Sequence, residues 1–268
     1  MIKTRALLEF SMNASIQAGK AILEVYDDPD FSIELKGDKS PLTKADLASS
    51  DIINDYLKDT PYSIISEEIK NKSYSERKQW DICWIVDPLD GTKEFIKRNG
   101  EFTVNIALCK NGKPVLGVIY VPVSRELYYA DATESEAFKV VLSQDLVLPQ
   151  NLFDRSNRIF PSKSATDNFR VVGSRSHMNQ DTLDFIDSEK RNYTNVEIVS
   201  KGSSLKFCLV AEGKADVYPR FAPTMEWDTA AGQAICKAAG LKVISRKTNK
   251  ELEYNKENLL NPHFIVST

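Results

Sequence analysis

The sequence predicts an α/β protein in two parts: residues 1–150 form an α+β half and residues 151–268 an α/β half. Three observations carry that expectation. Five strand-like runs follow one another closely between positions 82 and 142. From Phe169 onward, short apolar runs alternate with segments of helical periodicity. Between the two, residues 143–168 are richer in Ser, Asn, Asp and Pro, the composition of a boundary.

In chain order, Leu8, Met12, Ile16, Ile22, Leu23 and Tyr26 recur mostly at helical spacing, so a helix is expected over 3–26, stopping at Asp27-Asp28-Pro29. Phe31, Ile33 and Leu35 alternate like a half-buried strand, and Ser40-Pro41-Leu42 reads as a turn. Thr43 then opens a helix carrying Ala48, Ile52, Ile53, Tyr56 and Leu57, with Asp46 at capping-box distance. A short strand over 62–65 leads to Ser66-Glu67-Glu68. Residues 70–79, charged and poor in apolar side chains, predict an exposed loop. Strands are expected over 82–86, 102–109, 115–121, 126–130 and 137–142, with Asn111-Gly112 turning an antiparallel hairpin. In the second part, strands over 169–172, 196–199 and 215–218 precede helices near 179–188, 203–212 and 228–239. Strands near Val243 and Phe264 close the chain.

Composition narrows the function classes. The 268 residues are 42% hydrophobic and 27% charged, with a formal net charge of −3, which gives no broad basic surface for duplex nucleic acid. A phosphorylated small molecule remains a fit, provided the attraction is local. Cys83, Cys109, Cys208 and Cys236 are far apart and form no C-x-x-C pair, which argues against a zinc site or a disulfide framework. Glu9, Ser11 and Asn13 break the first apolar stretch, and no run reaches the roughly 20 apolar residues of a membrane span. The expected location is the cytoplasm, with attachment to the inner face of the membrane left open, as is the oligomeric state.

The chemistry concentrates in Trp84-Ile85-Val86-Asp87-Pro88-Leu89-Asp90-Gly91-Thr92, where an apolar run delivers two aspartates to one tight bend. Glu68, Asp87, Asp90 and Asp228 all stand at element ends, where open α/β sheets place ligands. Together they would repel one another by several kcal/mol unless protons or cations intervene. Oxygen donors select Mg²⁺, Mn²⁺ or Ca²⁺, and two Mg²⁺ ions suit an in-line attack of water on a phosphate ester. Gly91 allows close approach of backbone to an anion, and Thr92 adds a hydroxyl. Each residue alone also has an ordinary structural explanation. The Asp-Pro-x-Asp-Gly stretch can be only a turn, Glu67-Glu68 a solvated pair, Asp228 a helix N-cap and Asp46 half of a capping box.

Asp87-Pro88-Leu89-Asp90-Gly91-Thr92 and Trp227-Asp228-Thr229-Ala230-Ala231-Gly232 resemble the paired signatures of the inositol monophosphatase superfamily, whose members are lithium-sensitive, magnesium-dependent phosphatases. Lys93-Glu94-Phe95, Ser174-Arg175-Ser176-His177 and Gly202-Ser203-Ser204-Leu205-Lys206 are similar to its bacterial 3'(2'),5'-bisphosphate nucleotidase branch. The resemblance implies a layered αβαβα sandwich and two or more Mg²⁺ ions held by Glu68, Asp87, Asp90, Asp228 and the Leu89 carbonyl. It implies that Asp46 and Thr92 handle the attacking water. Glu68, Leu89, Asp90, Gly91, Thr92 and Asp228 would also meet the substrate, with Ser174, His177, Gly202 and Lys206 at its nucleotide end. The implied reaction is removal of the 3'-phosphate from 3'-phosphoadenosine 5'-phosphate during sulfate assimilation. An inositol or sugar phosphate as substrate, and a non-catalytic nucleotide-binding regulator, are the competing expectations. His177 as a plain helix-start residue and Lys206 as a solvated lysine compete locally. Lys93, Lys97 and Arg98 are either a phosphate-attracting lid or surface, and stand outside the predicted site.

Overall fold

Five layers stack in the order helix, sheet, helix, sheet, helix in the computed structural model, which describes residues 4–28, 33–35, 41–162, 168–174 and 178–268. The chain begins with α1 (Thr4–Tyr26), the antiparallel pair β1 (Ile33–Leu35) and β2 (Pro41–Thr43), and α2 (Lys44–Leu57). There follow β3 (Ser63–Ser66), the one-turn α3 (Tyr74–Arg77), β4 (Ile82–Asp90), α4 (Thr92–Ile96), β5 (Thr103–Lys110), β6 (Lys113–Val121), β7 (Glu126–Asp131) and β8 (Glu136–Val141). The remainder is β9 (Asn168–Ser174), α5 (Gln180–Glu189), β10 (Asn195–Lys201), α6 (Leu205–Ala211), β11 (Tyr218–Arg220), α7 (Ala230–Ala238), β12 (Lys242–Ser245) and β13 (Phe264–Ser267).

Strands β3 to β8 form a six-stranded sheet in chain order, parallel between β3 and β4 and antiparallel beyond. Helices α1 and α2 cover one face, where Leu8, Met12, Ile53, Trp84, Val86 and Val104 share a core. Helices α6 and α7 cover the other, where Ile65, Cys83, Ile85, Phe207 and Ile235 share a second. Strand β4 is therefore buried on both sides, which is why its apolar run is continuous rather than alternating. The far side of α6 and α7 meets β9 to β13. In that layer, Val172 N–H donates to Val217 O at 2.8 Å and joins the β9–β10 pair to β11, β13 and β12. Helix α5 closes the stack over Val171, Ile186 and Val217. The second core draws on residues from Ile65 to Val266, on both sides of position 150.

Asn111 and Gly112 turn the β5–β6 hairpin with φ of 49° and 73°, the left-handed pair that a two-residue loop demands. All four cysteines are buried, and burial pushes the Cys83 thiol up to about 12. Among the described residues, no helix is long and apolar enough to cross a membrane.

Several boundaries differ from the sequence reading. Pro41 and Leu42 belong to β2 rather than a turn. The segment expected as a loop over 70–79 contains α3, because Glu76 accepts hydrogen bonds from Ser73 N (3.1 Å) and Oγ (2.8 Å) to make a capping box. Arg77, only 3% exposed, donates to Lys72 O, Asn255 Oδ1, Lys256 O and Glu257 O, tying α3 to the C-terminal loop. Helix α7 has Thr229 at its N-cap, so Asp228 stands outside the helix and is not its cap.

Candidate active site

Strand β4 does not end at Val86. It runs on to Asp90, and its register against β5 passes from Asp87↔Asn105 to Asp90↔Thr103, three steps against two. Residues three apart on a regular strand face opposite sides. The extra residue is a bulge that offsets this, and Asp87 and Asp90 line the same cavity of about 240 Å³. Ser49 Oγ of α2 donates to Pro88 O at 2.6 Å, and Leu89 N–H to Asp87 Oδ1 at 3.2 Å, fixing the bend. Gly91 then turns the chain with φ 96°, a left-handed conformation suited to glycine, and α4 begins at Thr92.

The neighbouring strand corrects one assignment. Glu67, not Glu68, joins the acids: one carboxylate oxygen each from Glu67, Asp87 and Asp228 lie within 4.8 Å of one another. Strands β3 and β4 are parallel, with Ile65 opposite Ile85 and Ser66 opposite Val86. Ile65 and Ile85 share the core facing α6 and α7, so alternation puts Glu67 and Asp87 on that face. Glu67 N–H donates to Val86 O at 3.4 Å and extends the pairing by one residue. Glu68, one position further on and past the paired residues, does not line the cavity.

Asp228 reaches the group from the turn before α7, where its Oδ2 accepts Met225 N–H at 2.8 Å. Ser204 Oγ links the acids, 2.6 Å from Asp90 Oδ2 and 2.9 Å from Asp228 O, and accepts from Asn105 Nδ2 at 2.9 Å. Burial, and then the neighbouring Asp90 carboxylate, push the Asp228 carboxyl above its ordinary range. Crowded carboxylates favour a shared proton or a cation. All the donors are oxygens, which suits a hard divalent ion.

Each Asp46 oxygen accepts from a threonine. Oδ2 accepts Thr43 N–H (2.7 Å) and Oγ (2.6 Å) in the capping box, and Oδ1 accepts the Thr92 hydroxyl at 3.1 Å. The carboxylate is 1% exposed, held by these donors at the foot of the bend. Leu89, Gly91, Gly202 and Lys206 all line the cavity as well. Burial lowers the Lys206 ammonium to about 8, and its Nζ donates to Ser203 O at 2.5 Å. The Gly202 N–H, by contrast, is held by Glu101 Oε2 at 2.9 Å. Ser174 ends β9 with its backbone opposite Lys201. Its side chain, and His177 altogether, lie outside the described residues.

Of the three basic residues set aside, Lys93 lines the cavity and Lys97 does not. Arg98 donates to Tyr26 O and to Asp28 O and binds the end of α1. Sequence reasoning missed Arg220, whose Nε is buried with no partner among the described residues and which lines the cavity beside Tyr218 and Ser203. Its signal was weak, since the predicted strand over 215–218 stopped short of it, whereas β11 runs from Tyr218 to Arg220.

A two-sheet αβαβα stack with carboxylates gathered at one bend defines a class, and comparison with known proteins agrees. The inositol monophosphatase family profile matches residues 3–267, and the chain belongs to that family. It is 44% identical over 264 residues to the 3'(2'),5'-bisphosphate nucleotidase CysQ of Salmonella typhimurium, covering 97% of this chain and 99% of that one. It is also 44% identical to the CysQ of Escherichia coli K12, covering 93% of this chain and 95% of its relative. Among solved structures it is similar to CysQ from Bacteroides thetaiotaomicron, a bacterial member of the same family, with 51% identity and a TM-score of 0.88. That match covers 98% of this chain and 97% of the other. The Thermotoga maritima IMPase matches with 26% identity and a TM-score of 0.73, over 98% of this chain and 92% of that one.

Proposed function

We propose that the chain is a divalent-cation-dependent phosphatase that takes the 3'-phosphate from 3'-phosphoadenosine 5'-phosphate and leaves AMP. One observation carries this reading: the three-carboxylate group of Glu67, Asp87 and Asp228 opens on the same cavity as Thr92, whose hydroxyl is hydrogen-bonded to Asp46. The relatives named 3'(2'),5'-bisphosphate nucleotidase, at 44% identity over nearly the whole chain, support the substrate class.

Mg²⁺ is the ion assigned to Glu67, Asp87 and Asp228, with Asp90 as a fourth carboxylate that favours more than one ion. Bound there, divalent ions supply positive charge for the phosphate oxygens and acidify water. The protein's own part is positioning and proton handling. Thr92 Oγ1 accepts a hydrogen of the attacking water and passes its own proton to Asp46 Oδ1, where the 3.1 Å contact already exists. The water oxygen bonds to phosphorus as the bond from phosphorus to O3' breaks, and the departing 3'-oxygen takes a proton from solvent. Lys206 and Arg220, cations on the wall that also carries Ser203, would hold the second phosphate of the substrate.

Phosphate release from 3'-phosphoadenosine 5'-phosphate and from inositol 1-phosphate, each with and without Mg²⁺, tests the reading. Turnover should favour the nucleotide, stop with chelator and weaken with lithium. A preference for the inositol ester would reassign the substrate. Tight nucleotide binding without phosphate release would favour a regulator instead.

A further inference from the structure

We infer that Glu101 is a positioning residue for the second phosphate of a bisphosphate substrate, acting through the turn at 202–204 that leads into α6. It does not line the cavity, so any effect on substrate must be relayed. The inference deepens the nucleotidase reading and rests on it.

Glu101 is 7% exposed, yet carries a carboxylate that must be matched by donors. Oε2 accepts the Gly202 N–H at 2.9 Å, and Oε1 lies 3.3 Å from Lys201 Nζ. The contact is close on every side: a Cβ at position 202 would stand 2.7 Å from Glu94 Cγ and 2.9 Å from Glu101 O. Only glycine fits between these two glutamates. The next residue, Ser203, has φ 44°, a left-handed backbone that a side chain disfavours and that persists where its surroundings over-determine it. The Glu101–Gly202 hydrogen bond is one such constraint. Ser203 O receives Lys206 Nζ at 2.5 Å, and Ser204 Oγ sits 2.6 Å from Asp90 Oδ2. Glu101 thus stands at one end of a short path, a hydrogen bond to Gly202 N–H, the Gly202–Ser203 backbone and the hydrogen bond from Lys206 Nζ to Ser203 O, that ends at the Lys206 ammonium. The loop after the Asp90–Thr92 bend and the turn before α6 are locked to each other there. Loosening that lock displaces Lys206, one of the two cations assigned to the second phosphate.

The test compares kcat/KM for 3'-phosphoadenosine 5'-phosphate with that for adenosine 3'-monophosphate, which lacks the second phosphate. In Glu101→Ala the ratio should fall by about tenfold or more, chiefly through KM, the effect expected of one charge-assisted hydrogen bond. Glu101→Gln keeps an acceptor for the Gly202 N–H and should hold the ratio within about threefold of wild type, as replacing like with like at one hydrogen bond predicts. If Glu101→Ala does not fold, Glu101→Asp withdraws the acceptor by one methylene and should shift the ratio the same way. Equal losses on both substrates, no loss on either, or no rescue by Gln would overturn the inference while leaving the nucleotidase reading intact. A wild-type enzyme with no preference for the bisphosphate would remove both.

Discussion

Replacing Glu67 by Gln removes one charge from a crowded group, and the consequence changes sign with Mg²⁺. The oxygens of Glu67, Asp87 and Asp228 lie within 4.8 Å of one another. At an effective dielectric near 20, two full charges at that separation repel by roughly 3 kcal/mol. Without cations the protein relieves part of this by protonation, since the Asp228 carboxyl is held above its ordinary range by burial and by Asp90. The net relief on removing the Glu67 charge is therefore smaller, about 1–2 kcal/mol. For a chain of this length that corresponds to a Tm higher by about 2–8 °C in chelator. With Mg²⁺ the order reverses. At a hundred times its Kd, an ion stabilises the native state by about 2.7 kcal/mol. Loss of a direct ligand should exceed the ~10–100-fold penalty seen for outer-shell partners, abolishing that increment at the same concentration. Thermal unfolding of wild type, Glu67→Gln and Glu68→Gln, each with and without Mg²⁺, reads all of this at once. Glu68→Gln should track wild type. If Glu67→Gln keeps the full Mg²⁺ response while Glu68→Gln loses it, the placement of the carboxylates argued above is wrong.

Three further outcomes are expected. Thr92→Val should lower kcat by about 10²–10⁴-fold, the usual worth of positioned proton transfer, while keeping the Mg²⁺-induced rise in Tm, because Thr92 is not one of the three acids. Burial lowers Lys206 to about 8, with Asp90, Glu94 and Asp228 raising it and Arg220 lowering it. Its charge is present below that pH and lost above it, so kcat/KM for the bisphosphate should fall as pH rises through about 8. Cations on Asp90 and Asp228 would move that limb lower, and Lys206→Arg should remove it. Arg77→Met strands the acceptors of Asn255, Lys256 and Glu257 in a site where Arg77 is 3% exposed. Urea unfolding should show a loss of about 2–3 kcal/mol with activity at 25 °C retained.

What could be read from the residues was what local chemistry decides. The Asn111-Gly112 turn, the Thr43–Asp46 capping box and the continuous apolar run of β4 are all set by neighbours in sequence, and all appear in the structure. The choice between Glu67 and Glu68 is not local. It depends on the parallel register of β3 against β4, which a sequence without its partner strand does not display. The bulge between Asp87 and Asp90 is similarly a property of two strands, and without it the two aspartates would diverge. Arg220 sits in a three-residue strand whose identity comes from pairing with β13 rather than from its own pattern. For Asp46, local chemistry showed only the cap made by one oxygen; the contact of the other with Thr92, 46 positions away, was implied by the family resemblance alone.

The acids also differ in when they become available. Glu67 and Asp87 lie side by side on adjacent strands early in the chain, whereas Asp228 comes after both sheets have begun. A nascent polypeptide still short of residue 228 has two walls of the cage and no third. A site that needs all three acids is therefore complete only once the chain has folded through residue 228.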